Sequence, residues 1–178
     1  MIRMFTLVLG YSKAGKSRYA EALAVKQSRG PRIYVATLIP VGDGEEGAAL
    51  VARHRAQREG LEFTTFEQPA RVAEVEMPQN ATVLLEDVSN LLANNLFGPG
   101  SGGQKAAYAD ILALRNKCDN LVAVSFYGLE EKDEYDESTN SYIRQLAALN
   151  EELKTAADTV IMLTKGVPSP LKGELIEV

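Results

Sequence analysis

The sequence predicts an α/β protein with a largely parallel sheet and helices on both of its faces. Three observations point there. Short β-branched and aliphatic runs alternate with helical stretches along the chain, the order that builds parallel sheets. Four of the runs are continuously apolar, as strands covered on both faces are. A glycine-containing turn, residues 10–15, joins the first run directly to the first helical stretch.

Strands are expected over residues 5–9, 32–36, 61–66, 82–86, 121–126 and 159–163, and helices over 16–28, 45–59, 88–97, 105–117 and 138–156. Phe5, Thr6, Leu7, Val8 and Leu9 form the first strand, and Ser17-Arg18-Tyr19-Ala20-Glu21-Ala22-Leu23 opens the first helix. Strand 32–36 holds Tyr34-Val35-Ala36, helix 45–59 holds a basic segment, and strand 82–86 reads Thr-Val-Leu-Leu-Glu. Gly98-Pro99-Gly100-Ser101-Gly102-Gly103 is expected to be a flexible loop, too short for a domain linker. Ser138 is the start signal of the long helix 138–156.

A length of 178 residues with 46% apolar and 24% charged residues fits one domain spanning residues 1–178. A chain this long buries roughly 70% of its unfolded surface and needs no disulfide or structural metal. Its lone cysteine, Cys118, removes zinc ribbons and disulfide scaffolds and points to a reducing, cytoplasmic setting. The net charge of −5 argues against nucleic acid as a partner, because binding by counterion release needs a clustered basic face. No run approaches the 18 or so apolar residues of a membrane span, so no membrane partner is expected. The apolar stretch after Arg3 is too short for a signal peptide and lacks a cleavage site.

The strongest chemical signal is Gly10-Tyr11-Ser12-Lys13-Ala14-Gly15-Lys16-Ser17, a full match to the phosphate-binding P-loop in its strand–loop–helix setting. There, backbone N–H groups turn inward around phosphate oxygens, Lys16 reaches the β and γ phosphates, and Ser17 Oγ ligates Mg²⁺. The fold expected is therefore of P-loop NTPase type. Such a site needs a second carboxylate for the metal, at the end of a neighbouring strand. Glu86 and Asp87 close strand 82–86, and spacing alone does not choose between them. His54 is the only histidine, with Arg53, Arg55 and Arg58 around it. Taken alone it reads as a solvated surface residue. In a phosphate site it would act as a nucleophile or phosphate contact, with the arginines neutralising phosphate oxygens.

These residues resemble the bifunctional adenosylcobinamide kinase and adenosylcobinamide-phosphate guanylyltransferase family of cobalamin biosynthesis. The resemblance runs almost end to end. The family's P-loop followed by Ser-Arg-x-Ala-Glu is similar to residues 10–21, and its Tyr-(Ile/Val)-Ala-Thr strand to Tyr34-Val35-Ala36-Thr37. Its His-Arg-x-x-Arg helix resembles His54, Arg55 and Arg58, and the strand after it resembles Thr64-Thr65-Phe66-Glu67. The acidic strand end and its downstream asparagine resemble Glu86 and Asn94, and the C-terminal run resembles Asn150-Glu151 with Ala157-Asp158-Thr159-Val160.

The resemblance implies catalytic roles for His54, Lys16 and Glu86, with Mg²⁺ held by Ser17 and Glu86. It implies nucleotide contacts from residues 10–17 together with Ala36, Thr37, Arg55, Arg58, Glu67 and Glu86. The substrates implied are a corrinoid and GTP, ATP or both, in a homo-oligomer of trimer type. The implied chemistry is γ-phosphoryl transfer to adenosylcobinamide, then attack of neutral His54 on the α-phosphorus of GTP. For an ordinary imidazole the second step should slow below about pH 6.5.

One segment departs. Where the family carries Asn-Glu-Val-Gly, this chain has Ser125-Phe126-Tyr127-Gly128, followed by six carboxylates in the eight residues 130–137. So dense a negative run is expected to be an extended, mobile, solvated loop. The departure is expected to fall outside the nucleotide site and to bear on the corrinoid. It keeps open a single-activity P-loop kinase for another small metabolite. A regulatory nucleotide-binding protein without catalysis is the other alternative, and it would lack Lys16 or Ser17.

Overall fold

Alternation along the first strand, β1 (Met4–Gly10), sorts the core into two layers. Phe5, Leu7 and Leu9 enter one apolar cluster and Val8 enters the other, because successive side chains of a strand point to opposite faces. The computed structural model describes residues 3–39 and 45–178. Further strands are β2 (Arg32–Ala36), β3 (Phe63–Glu67), β4 (Thr82–Glu86), β5 (Asn120–Phe126), β6 (Thr159–Thr164) and β7 (Val167–Lys172). Together with β1 they form one sheet in the order β3-β2-β4-β5-β1-β6-β7. All neighbours from β3 to β6 are parallel, and β7 closes the edge antiparallel to β6.

The helices are α1 (Lys16–Gln27), α2 (Glu45–Gln57), α3 (Val88–Phe97), α4 (Gly103–Arg115) and α5 (Glu137–Ala156). On one face α3, α4 and α5 bring Leu91, Ile111 and Leu149 onto Leu7, Leu85 and Leu121. On the other, Tyr19, Ala20, Leu23 and Ala24 of α1 cover Val8, Leu84 and Val122. Strands so enclosed read as the continuous apolar runs of the sequence. By contrast α2 buries none of its residues. Among the described residues no helix is long and apolar enough to cross a membrane. Cys118 is buried and free, and burial pushes its thiol up to about 12, so it serves packing.

The expected helices and strands are all present with small shifts of boundary, and β7 is an addition. Pro168 and Pro170 lie within it, and proline supplies no N–H to a ladder, which confines such strands to edges. The turn before β7 has positive φ at both Lys165 and Gly166, the geometry of a two-residue hairpin. The start of α5 also differs. Asp136, two residues before Ser138, accepts the Thr139 N–H at 2.7 Å, and the Ser138 hydroxyl donates to that same carboxylate.

Neither expected loop hangs free. In residues 98–103, Gly98 and Gly100 both donate to the Asn94 carbonyl at 3.0 Å, and Asn95 reaches the Gly103 carbonyl. The acidic run is clipped to α5 rather than extended. Arg144 pairs with both Glu131 and Glu137, and Asn140 exchanges hydrogen bonds with the Lys132 backbone at 3.1 and 3.0 Å. The run is exposed throughout, as expected of a solvated segment, and its pairs with Arg144 are exposed too, so they add little stability.

Leu85 is fully buried at the centre of the larger cluster. Leu85→Ala should therefore cost about 2–5 kcal/mol, read as a lower urea midpoint at unchanged slope. Unchanged stability would contradict the packing described.

Candidate active site

The turn after β1 is shaped by what cannot fit there. A Cβ on Gly10 would lie 2.9 Å from the Leu163 carbonyl and 3.0 Å from Lys16 Cγ, so the strand must end on glycine. Gly15 has φ +89, a conformation glycine adopts without a steric penalty. The loop is braced from outside by the β6–β7 turn, where Gly166 N–H donates to the Ala14 carbonyl at 2.9 Å. At the start of α1, Gly15 supplies no side-chain cap and the first turn holds no acidic residue. The orphan N–H groups are left to an anion.

Lys16 Nζ donates to the Tyr11 carbonyl at 2.5 Å and sits 5.1 Å from the Phe126 ring centroid. Burial pushes its ammonium below the usual lysine value, against the pull of Asp87 and Glu86. A cation so desolvated gains more from an arriving phosphate than one in bulk water.

The two carboxylates at the end of β4 divide their work. Asp87 caps α3 by accepting the Asn90 N–H at 2.7 Å, and its backbone N–H and carbonyl both bond the Thr37 hydroxyl, at 2.7 and 2.8 Å. Glu86 accepts the Tyr34 hydroxyl on Oε2 at 3.2 Å, while its buried Oε1 has no partner. Burial pushes Glu86 up to about 7; the Ser17 hydroxyl opposes that shift, and the Asp87 charge adds to it. An orphaned carboxylate oxygen beside the Ser17 hydroxyl is a pair of hard oxygen donors, the chemistry that Mg²⁺ takes from protein when phosphates complete its shell. On this donor set Glu86, whose carboxylate has the Ser17 hydroxyl beside it, fits the metal better than Asp87, which caps α3.

His54 lies in the last turn of α2, half-buried, with Nδ1 buried and unpartnered. Burial first, then Arg58 and Arg53, hold its pKa below the usual histidine value. The onset of protonation expected near pH 6.5 therefore moves to lower pH. Arg55 meets Glu67 at 2.9 Å in an exposed pair. Exposed pairs contribute little, so Arg55 is free to turn to a phosphate at small cost. Arg58 is 8% exposed, with its guanidinium carbon 3.5 Å from the Tyr34 ring centroid.

One cavity of about 360 Å³ gathers these groups. Of the residues singled out from the sequence, its wall holds Ser12, Lys13, Lys16, Ser17, Ala36, His54, Arg55, Arg58, Glu67, Glu86 and Asp87. Gly10, Tyr11, Ala14, Gly15 and Thr37 are not on that wall. Gly10, Ala14 and Gly15 shape the loop behind it, Thr37 bonds the Asp87 backbone, and the Tyr11 side chain is exposed. A second, shallower groove of about 460 Å³ shares Arg55 and Arg58 and continues along β3. The sequence reading assigned no role to Tyr34, Asn90 or Val124, which also line the cavity. For Tyr34 a signal existed, since it stands two residues from Ala36 on β2 and so shares its face. Phe126, expected outside the nucleotide site, is instead on this wall, because β5 runs beside β1 and ends next to the loop that follows it.

Residues 6–171 match the model of a protein family described as cobinamide kinase / cobinamide phosphate guanyltransferase. A bifunctional adenosylcobalamin biosynthesis protein of Pseudomonas aeruginosa is 29% identical over 177 residues, covering 96% of this chain and 99% of that one. Among solved structures, the ATPase domain of G40P superposes with a TM-score of 0.51 at 11% identity, over 90% of this chain and 69% of that one. An ATPase of a bacterial type III secretion system gives 0.50 at 13% identity, over 92% and 52%. At such identities the two structures share the P-loop NTPase fold and nothing finer.

Because Lys16 is the desolvated cation at the mouth of the loop, Lys16→Ala should weaken nucleoside triphosphate binding by about 10-fold or more and leave nucleoside binding nearly unchanged. Calorimetric titration with both ligands checks it; equal triphosphate affinity in the two proteins would contradict the assignment.

Proposed function

The chain belongs to the cobinamide kinase / cobinamide phosphate guanyltransferase family, and on that premise we propose that it phosphorylates adenosylcobinamide and then transfers GMP from GTP through a guanylylated His54. The observation that carries this reading is the shared cavity. A P-loop lysine, a free carboxylate oxygen and a neutral-leaning histidine flanked by arginines line one wall system. A kinase alone has no use for the last of these.

For γ-phosphoryl transfer the chain contributes position and charge, since the reaction asks little covalent chemistry of a protein. Lys16 and the N–H groups of the loop hold the β and γ phosphates. Ser17 and Glu86 would hold Mg²⁺, which when bound neutralises charge on those same phosphates. The substrate hydroxyl oxygen forms a bond to the γ-phosphorus as the bond to the β-phosphate oxygen breaks.

For guanylyl transfer the lone pair of a neutral His54 nitrogen attacks the α-phosphorus. A P–N bond forms and pyrophosphate leaves. Arg55 and Arg58, with Lys16, balance the charge that gathers on the departing phosphates. The phosphate of the corrinoid then displaces the imidazole, which restores the enzyme. Homotrimeric assembly belongs to the same reading. A second reading, a kinase with one activity, is favoured by Phe126, which lines the cavity at the place of a family carboxylate and offers a corrinoid no acceptor.

Incubation with α-labelled GTP should leave an acid-labile, base-stable covalent label that His54→Asn abolishes while γ-transfer to the corrinoid continues. Because the pKa of His54 is lowered, the neutral form persists as the pH falls through the ordinary value of about 6.5, and labelling should decline only below it. Label retained in the variant contradicts the role of His54, and kinase turnover without label in the native protein favours the single-activity reading.

A further inference from the structure

Glu21, which closes the Ser-Arg-x-Ala-Glu run of α1, is a carboxylate on a buried helix face. It stands on the buried stripe of α1 beside Tyr19, Ala20, Leu23 and Ala24, and is only 2% exposed. One oxygen, Oε2, accepts Gln57 Nε2 at 2.7 Å; the other has no partner. Burial pushes Glu21 above the usual carboxylate range, opposed by the Gln57 bond and the nearby Arg58 cation. It is not on the wall of the active-site cavity. A buried carboxylate is retained at a cost, and the mechanism above does not use it.

What it does touch is the end of the helix that bears the histidine. Gln57 is the last residue of α2, which has no buried residue of its own and therefore no apolar face to fix it on the sheet. Arg58 follows directly, packed over Tyr34 with one guanidinium nitrogen buried and unpartnered. Its backbone N–H donates to the His54 carbonyl at 3.3 Å, so the held end lies one helical turn from the imidazole.

We propose that Glu21 is a positioning residue: by binding Gln57 and facing Arg58 it docks the end of α2 against α1, and so holds His54 in the phosphate cavity. The proposal rests on the reading of His54 as guanylyl acceptor for its catalytic consequence, while the docking itself is tested separately. The anchor spans 36 residues of sequence and makes no hydrogen bond to the P-loop, Glu86 or Asp87, although the Glu21 charge reaches Glu86, so its effect should fall mainly on the half-reaction of the histidine.

The lone histidine makes the test direct, because its ring protons give a single set of proton resonances. In the native protein His54 should titrate below about 6.5. Glu21→Leu should move it upward toward that value, as the ring leaves its buried place and the company of Arg53 and Arg58. Removal of a nearby anion without undocking would move it the other way. Guanylylation should fall about 10- to 100-fold, with γ-transfer changed by less than about 3-fold. Gln57→Leu, on the exposed partner, should reproduce both effects and add nothing in the double variant, and Glu21→Gln, which keeps an acceptor, should restore most of the rate. Should Glu21→Leu fail to fold, Gln57→Leu carries the same comparison. An unchanged or lowered His54 titration in the leucine variants overturns the docking. A native protein that takes no label overturns the role of His54 instead, whatever the titration shows.

Discussion

A lysine ammonium held partly out of water at the end of a buried parallel strand is the constraint on which the rest of the molecule depends. Lys16 cannot be there without β1, whose neighbours β5 and β6 close both of its edges, or without a glycine at position 10, where a side chain would meet Leu163. Its charge is balanced from below by the carboxylates that end β4. The core on both faces of the sheet serves that arrangement by fixing the strand ends from which the loop, Glu86 and Phe126 project.

The second half of the site is built differently. His54, Arg55 and Arg58 come from a helix end with no buried residue in α2 itself, held by the Gln57–Glu21 hydrogen bond and by Arg58 stacked over Tyr34 of β2. A strand-held phosphate loop and a lightly anchored histidine would suit the proposed use of two phosphorus atoms of a nucleotide. The γ-phosphorus needs fixed charge, whereas the α-phosphorus needs an approach from another side. Burial acts on each group in the direction its proposed role would require. It makes Lys16 more avid for anions, and it keeps His54 neutral.

Much of this was legible in the sequence, for reasons particular to each part. The P-loop was legible because its chemistry is local: eight consecutive residues, glycines where side chains cannot fit, between a strand and a helix. Strands 32–36 and 82–86 were legible because strands buried on both faces leave no alternation to misread. β7 was hidden by Pro168 and Pro170, which suit an edge strand yet read as loop. Residue spacing could not separate Glu86 from Asp87, because the difference is which carboxylate stands beside the Ser17 hydroxyl and which caps a helix. The Glu21–Gln57 contact was invisible, since no periodicity links a buried position on one helix to the last residue of another.

The central claim is that one cavity serves both phosphorus chemistries. The most direct measurement is the stoichiometry of nucleotide binding by equilibrium dialysis with ATP and GTP present separately and together, in Mg²⁺. The account predicts one nucleotide per chain, each nucleotide displacing the other, and loss of both from Lys16→Ala. Simultaneous binding of ATP and GTP to one chain, or GTP retained by the Lys16 variant with native affinity, would contradict it.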